Sequence, residues 1–86
     1  MCIWGGCLKA YILVNSEPRM IWRVAEEALK IEGVIEAYAV TGQFDDVIQV
    51  EFEKMEDLGI IIERVQSIKG VLRTQTLITI PPPVRD

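Results

Sequence analysis

Eighty-six residues, 50% apolar and 26% charged, suit one folded domain, short enough that much of its surface stays wet unless it meets partners. Nine Lys and Arg against thirteen Asp and Glu leave a formal charge of −4 with no basic run, which argues against direct nucleic-acid binding, because phosphate contacts need clustered cations. No stretch approaches the roughly 20 apolar residues of a membrane span, and Met1–Cys7 has neither the basic start nor the apolar length of a secretion signal, so the expected location is the cytoplasm.

The chain opens with MCIWGGC, and a C-x4-C pair in a sequence without His is a poor zinc site. Cys2 and Cys7 are therefore read as reduced thiols, and Trp4 as docking on a neighbour or fraying. From Lys9 the run KAYILVN reads as a strand. It stops at Asn15-Ser16-Glu17-Pro18, where Ser16 or Glu17 would cap a helix and Pro18 would open its first turn. Ile21, Val24, Ala25, Ala28 and Leu29 then follow the spacing of one helical face. Gly33 ends this helix.

Val34–Thr41 (VIEAYAVT) is again extended, and Gly42-Gln43-Phe44-Asp45 reads as a turn into a third strand, Asp46–Phe52 (DVIQVEF), with Ile48, Val50 and Phe52 on one side. A second helix runs from Met55 to about Ile68, with Leu58, Ile61, Ile62, Val65 and Ile68 on its apolar face. Gly59 within it costs roughly 1 kcal/mol relative to Ala, a cost that either close packing or tolerance must explain. Gly70 stops the helix, and Val71–Ile80 forms the last strand before Pro81-Pro82-Pro83, which cannot extend a ladder.

A shift of 37 residues superposes Ile21, Val24, Ala25 and Ala28 on Leu58, Ile61, Ile62 and Val65, and carries Ile31-Glu32-Gly33-Val34 onto Ile68-Lys69-Gly70-Val71. Two copies of strand, helix, glycine stop and strand make βαββαβ, the ferredoxin-like arrangement. The expected fold class is α+β, a four-stranded antiparallel sheet with both helices on one face. Its first and third strands are read as a central, parallel pair, with the second and fourth at the edges. The opposite face would present Tyr38, Val40 and Leu77 in one register, or Ala37 and Ile78 in the other. Neither is cleanly polar, so a dimer formed sheet to sheet is expected.

The segments GVIEAYAVTGQFDDVIQV and IKGVLRTQTLITI together resemble the effector-binding domain of Lrp/AsnC transcription regulators, the RAM domain. The resemblance rests on Gly42 with Asp45 in the hairpin turn and on Gly70-Val71-Leu72-Arg73-Thr74-Gln75-Thr76 opening the last strand. It divides the chain into an extension at 1–8, the domain at 9–80 and a Pro-rich tail at 81–86. Regulators of that family carry a helix-turn-helix domain ahead of this module, whereas about eight residues precede the first strand here. The resemblance is thus to stand-alone versions of the module.

In that family an amino acid effector lies where two dimers meet, against the hairpin loop and the last strand. The implied ligand-binding residues are Gly42, Asp45, Thr74 and Thr76, with no cofactor or metal. A zwitterion needs an acceptor for its ammonium group, which Asp45 supplies. It also needs donors for its carboxylate, which backbone N–H groups at Gly42 and the hydroxyls of Thr74 and Thr76 supply. Two positions apart on a strand, the threonines share a face. Read without the resemblance, Gly42 and Asp45 are ordinary turn residues, Thr74 and Thr76 ordinary strand formers, and Asp46 a solvated charge or the residue that opens a strand. Arg73 can pair with Glu36, its counterpart in the repeat, for about 0–1 kcal/mol.

The function implied is a non-catalytic amino acid-binding and oligomerisation module, a homodimer assembling to a tetramer or octamer, with a helix-turn-helix regulator as a further partner. Two other readings share the fold: a structural co-assembly partner that needs no ligand, and a small dimeric α+β barrel enzyme. The absence of His weighs against the enzyme. An ACT-type domain has the same topology, which fold alone does not distinguish.

Overall fold

The structure, a computed structural model, describes residues 8–80; Cys2, Trp4, Cys7 and the Pro-rich tail lie outside the described residues. Strand β1 (Leu8–Ser16) leads through a single 3-10 turn at Pro18–Met20 into helix α1 (Ile21–Ala28). Strands β2 (Val34–Ala39) and β3 (Asp46–Phe52), helix α2 (Met55–Gln66) and strand β4 (Val71–Ile78) follow. The βαββαβ order and the α+β class are those expected. The sheet order is β2-β3-β1-β4.

The central pair runs the other way from the expectation. β1 and β3 pair antiparallel, as do β1 with β4 and β2 with β3. The reason lies in the two crossovers, each of which skips one position in the sheet. β1 and β2 are parallel but separated by β3, and β3 and β4 are parallel but separated by β1, so every hydrogen-bonded neighbour is antiparallel.

Helix ends also differ from the sequence reading. Glu17 occupies the extended position before Pro18, yet its side chain makes no capping bond. Its backbone N–H instead donates to the Gly70 carbonyl at 2.9 Å, tying the start of the first crossover to the end of the second. Ser16 does not cap either, because its hydroxyl faces the interior.

Along β1, Ala10, Ile12, Val14 and Ser16 are buried while Lys9, Tyr11, Leu13 and Asn15 turn to the other face. The core forms between the first set, Ile48, Val50 and Phe52 of β3, and Val24, Ala28, Leu58, Ile61 and Val65 from the helices. Strand alternation and helix periodicity thus converge on one interior. The glycine stops of the repeat are pinned by it. Gly33 has φ +100° and Gly70 φ +102°, and a Cβ on either would meet Ile61 or Met20 within 3 Å. Gly59 has open space around it, so tolerance explains it.

The face without helices carries Tyr11, Leu13, Tyr38, Val47 and Leu77, neighbours in the registers Leu13↔Val47, Tyr38↔Val47 and Tyr11↔Leu77. Tyr38 is 52% and Leu77 46% exposed. Lys9, Glu36, Gln49, Glu51, Arg73 and Gln75 surround this apolar diagonal. Of the two registers considered, the Tyr38–Leu77 one is realised on this face. Ala37 and Ile78 fall on the helix side, opposite Ile48 and Ala10.

Among the described residues no helix is long and apolar enough to cross a membrane.

Candidate functional site

The turn between β2 and β3 folds back over the end of β1. Gly42 has φ +115° with nothing within 4 Å of a built Cβ, so the chain reverses there without strain and leaves backbone N–H groups approachable. Beyond it the loop is clasped from both sides. The Asp45 N–H donates to the Val14 carbonyl at 2.8 Å, and the Val40 N–H donates to the Asp45 carbonyl at 2.9 Å. The Asp45 carboxylate accepts the Ser16 N–H through Oδ2 at 2.8 Å, and Asn15 Nδ2 donates to the Gln43 carbonyl at 2.8 Å.

Asp45 is therefore partly a structural residue, as the turn reading supposed. A carboxylate has about four lone-pair sites, so Oδ1 retains the capacity to accept a ligand ammonium group while Oδ2 holds β1.

On the other side of β1, Thr74 pairs with Val14 and Thr76 with Ile12. Both hydroxyls lie on the helix side of β4, sharing a face. Gln66 Nε2 at the end of α2 donates to Thr74 Oγ1 at 3.1 Å, which leaves the Thr74 proton free to be donated. Arg73, one residue earlier, is on the open face, where its Nε donates to Asn15 Oδ1 at 3.3 Å. It does not pair with Glu36. β2 and β4 are opposite edges of the sheet, three strand spacings apart, or roughly 14 Å.

The fold thus brings Asp45 and Thr74 to the two flanks of Val14 and Ser16, with Gly42 projecting beyond and Thr76 one step toward the sheet centre. Two concavities among the described residues lie elsewhere, between the helices against Met20, Glu27, Lys30 and Lys69, and beside Gly33 and Asp57, and neither is lined by these four residues.

Asp46 is the residue of this region whose place the sequence does not reveal. It opens β3, as one reading had it, but it is not a solvated charge, because it is completely buried. It sits opposite Val14 and Ala39 on the helix side. Among the described residues its one side-chain hydrogen bond comes from Ser16 Oγ to Oδ2 at 3.3 Å, and Oδ1 has no partner. Burial pushes its carboxyl up to about 6, with the Ser16 hydroxyl opposing and the neighbouring Asp45 charge assisting. The available signal was its place in the alternation with Ile48, Val50 and Phe52. On the open face, Tyr38 is held above the usual phenol range, mainly by the neighbouring Glu36 carboxylate.

A family model described as the Lrp/AsnC ligand binding domain matches residues 9–86. The chain is 35% identical over 74 residues to an uncharacterized HTH-type transcriptional regulator of Pyrococcus furiosus, covering 81% of this chain and 49% of the relative. It is 30% identical over 76 residues to the HTH-type transcriptional regulator FL11 of Pyrococcus abyssi, covering 88% and 50%. The chain spans about half the length of these curated relatives.

Among solved structures, TTHA0845 of Thermus thermophilus superposes with a TM-score of 0.81 at 28% identity, covering 91% of this chain and 99% of that one. The hypothetical protein PHS023 of Pyrococcus horikoshii gives 0.77 at 30% identity, covering 87% and 92%. A transcriptional regulator of Neisseria meningitidis, solved as an L-Met complex, shares the fold with a TM-score of 0.75 at 22% identity, over 91% of this chain and 53% of that one.

Proposed function

The chain belongs to the Lrp/AsnC ligand binding domain family, and on that premise we propose that it is a non-catalytic cytoplasmic module that binds a free amino acid and assembles through both its open sheet face and its hairpin loops. An effector-binding role related to transcription regulators follows from the family and from the regulators it resembles. The amino acid is the finer step. Its support is the L-Met complex of a regulator with the same fold, together with the chemistry at the end of β1.

The observation that carries the reading is the clasp of the Gly42–Asp45 loop onto Val14 and Ser16, with Thr74 on the other flank of the same strand. An acceptor, approachable N–H groups and hydroxyls are held on rigid elements but left open to solvent in one chain. An amino acid needs a site from which water is excluded. A second copy closing over the loop supplies that exclusion, so the crevice forms on assembly and the ligand shifts the assembly equilibrium by its different affinity for the two states. The sheet face with Tyr11, Leu13, Tyr38, Val47 and Leu77 provides the first, sheet-to-sheet dimer contact. Meeting of the loops joins dimers into tetramers or octamers, alone or with a helix-turn-helix regulator of the family.

Isothermal titration against the common amino acids, paired with light scattering, tests this. Heat of binding for at least one amino acid, accompanied by a change in mass and lost in Asp45→Ala, is the expected result. A monomer that gives no heat with any of them contradicts it.

A further inference from the structure

Ser16, Asp45 and Asp46 form one cluster at the loop's point of attachment, and its two carboxylates are treated differently. Asp45 Oδ2 accepts the Ser16 backbone N–H at 2.8 Å and is only half-buried. Asp46 is completely buried, and among the described residues its carboxylate has one partner, the Ser16 hydroxyl at 3.3 Å, a long contact that leaves Oδ1 unsatisfied. A buried carboxylate with one weak hydrogen bond and no cation is among the least favourable groups a core can hold, while the neutral acid is far easier to bury.

Among the described residues no cation relieves it. The residues opposite Asp46 are Val14 on β1 and Ala39 on β2. Helix α1, which lies over β2 and β3, turns Val24, Ala25 and Ala28 inward. Among charged groups on the surrounding elements, Glu17, Arg19, Arg23 and Glu26 are exposed and Glu27 half-exposed. Arg73 is turned to the open face, where it bonds to Asn15. Ion pairs among the described residues are Arg23–Glu27 and Lys30–Glu27. The adjoining carboxylate, Asp45, has the same sign and opposes its ionisation.

We propose that Asp46 is a proton-responsive positioning residue for the effector loop: neutral, it lets the Gly42–Asp45 turn close on β1; ionised, it drives this end of the sheet toward an opened form in which it reaches water. Because Ser16 joins both aspartates, an opening that hydrates Asp46 also releases the Ser16 N–H from Asp45. The carboxyl lies near 6 in the closed form, close to conditions inside a cell, so modest acidification tightens the loop. This rests on the reading of the loop as part of the effector site, but the device itself is measurable without any effector, so failure of one is distinguishable from failure of the other.

Amide hydrogen exchange of the full chain, followed by NMR at pH 5 and 7.5 and corrected for intrinsic exchange, provides the test. Ser16 and Asp45 amides are expected to be about tenfold better protected at pH 5, the change that linkage assigns to a group one unit below its closed-state midpoint. Exchange at Ser16 and Asp45 is expected to be insensitive to low urea, as for a local opening that exposes little surface, and Asp46→Asn is expected to abolish its pH dependence. Flat protection in the wild type, exchange at Ser16 and Asp45 that follows the urea dependence of global unfolding, or an unaltered profile in Asp46→Asn overturns the proposal. If that variant does not fold, the carbon-13 titration of the wild-type Asp46 carboxyl decides: a midpoint near 6 supports it, and one near the ordinary value of about 4 overturns it.

Discussion

Replacing Gly33, Gly42 and Gly70 by Ala one at a time separates two costs that positive-φ glycines conceal. All three adopt φ between +100° and +115°, so each substitution introduces a backbone strain of about 1 kcal/mol. Surroundings distinguish them. At Gly42 the new methyl meets nothing within 4 Å, and strain is the whole effect. At Gly33 it falls 2.6 Å from Ile61 Cδ1, the tip of a core side chain that can yield only by displacing its neighbours, adding about 1–2 kcal/mol of overpacking. At Gly70 it falls 2.7 Å from Met20 Cβ and 2.9 Å from Cγ. A Cβ cannot move without its backbone, and the adjoining Glu17 N–H to Gly70 carbonyl bond is strained with it, so the total reaches about 3–4 kcal/mol. Urea unfolding with a common slope of about 1 kcal/mol per molar is expected to show midpoints falling by roughly 1, 2–3 and 3–4 M, in the order Gly42, Gly33, Gly70. Equal losses at Gly33 and Gly42 would refute the claim that the repeat's glycine stops are packed against the opposite crossover.

Gly59→Ala in α2 places a methyl in open space and is expected to stabilise by about 0.5–1 kcal/mol, read as a higher melting temperature; a loss of stability would contradict the open surroundings. Asp46 makes stability fall as pH rises. Its carboxyl lies near 6 in the folded chain against 3.8 when unperturbed, so between about pH 4 and 6 the folded state holds the extra proton and loses roughly 2–3 kcal/mol across that window. The urea midpoint of the wild type minus that of Asp46→Asn, at pH 4.5 and 7, isolates this component, and an unchanged difference would refute it. Leu13→Glu puts a charge in the middle of the open face beside Val47. Sedimentation is expected to show dissociation to monomers, and an unchanged mass would place the dimer contact elsewhere.

The repeat made most of the fold legible. Apolar positions at helical spacing, Gly33 and Gly70 at matching places and alternation in β3 lead to the element order without reference to tertiary contacts. What remained hidden depended on pairing. The direction of β1 relative to β3 follows from which strand each crossover skips, and no local pattern encodes that. The faces of β4 were equally obscure, because Val71–Ile78 mixes Thr, Gln and Arg with Leu and Ile on both sides, and its pairing with β1 shifts register between Asn15 and Ser16. Asp46 escaped notice because a charged residue at the start of a strand ordinarily faces water. Its burial comes from Val14, Ala39 and α1, brought from elsewhere in the chain. Gly42 and Asp45 were legible as turn residues, whereas the clasp that holds Asp45 to Ser16 is a contact 29 residues distant in sequence.

The proposed function depends on an amino acid binding against the hairpin loop and the start of β4. Chemical-shift mapping of the labelled chain with a saturating mixture of amino acids addresses it most directly. Perturbations at Gly42, Asp45, Ser16, Thr74 and Thr76, with mass rising or falling in step, are the predicted result. Perturbations confined to the groove between the helices, near Arg23 and Lys69, would contradict it, as would a spectrum that does not respond.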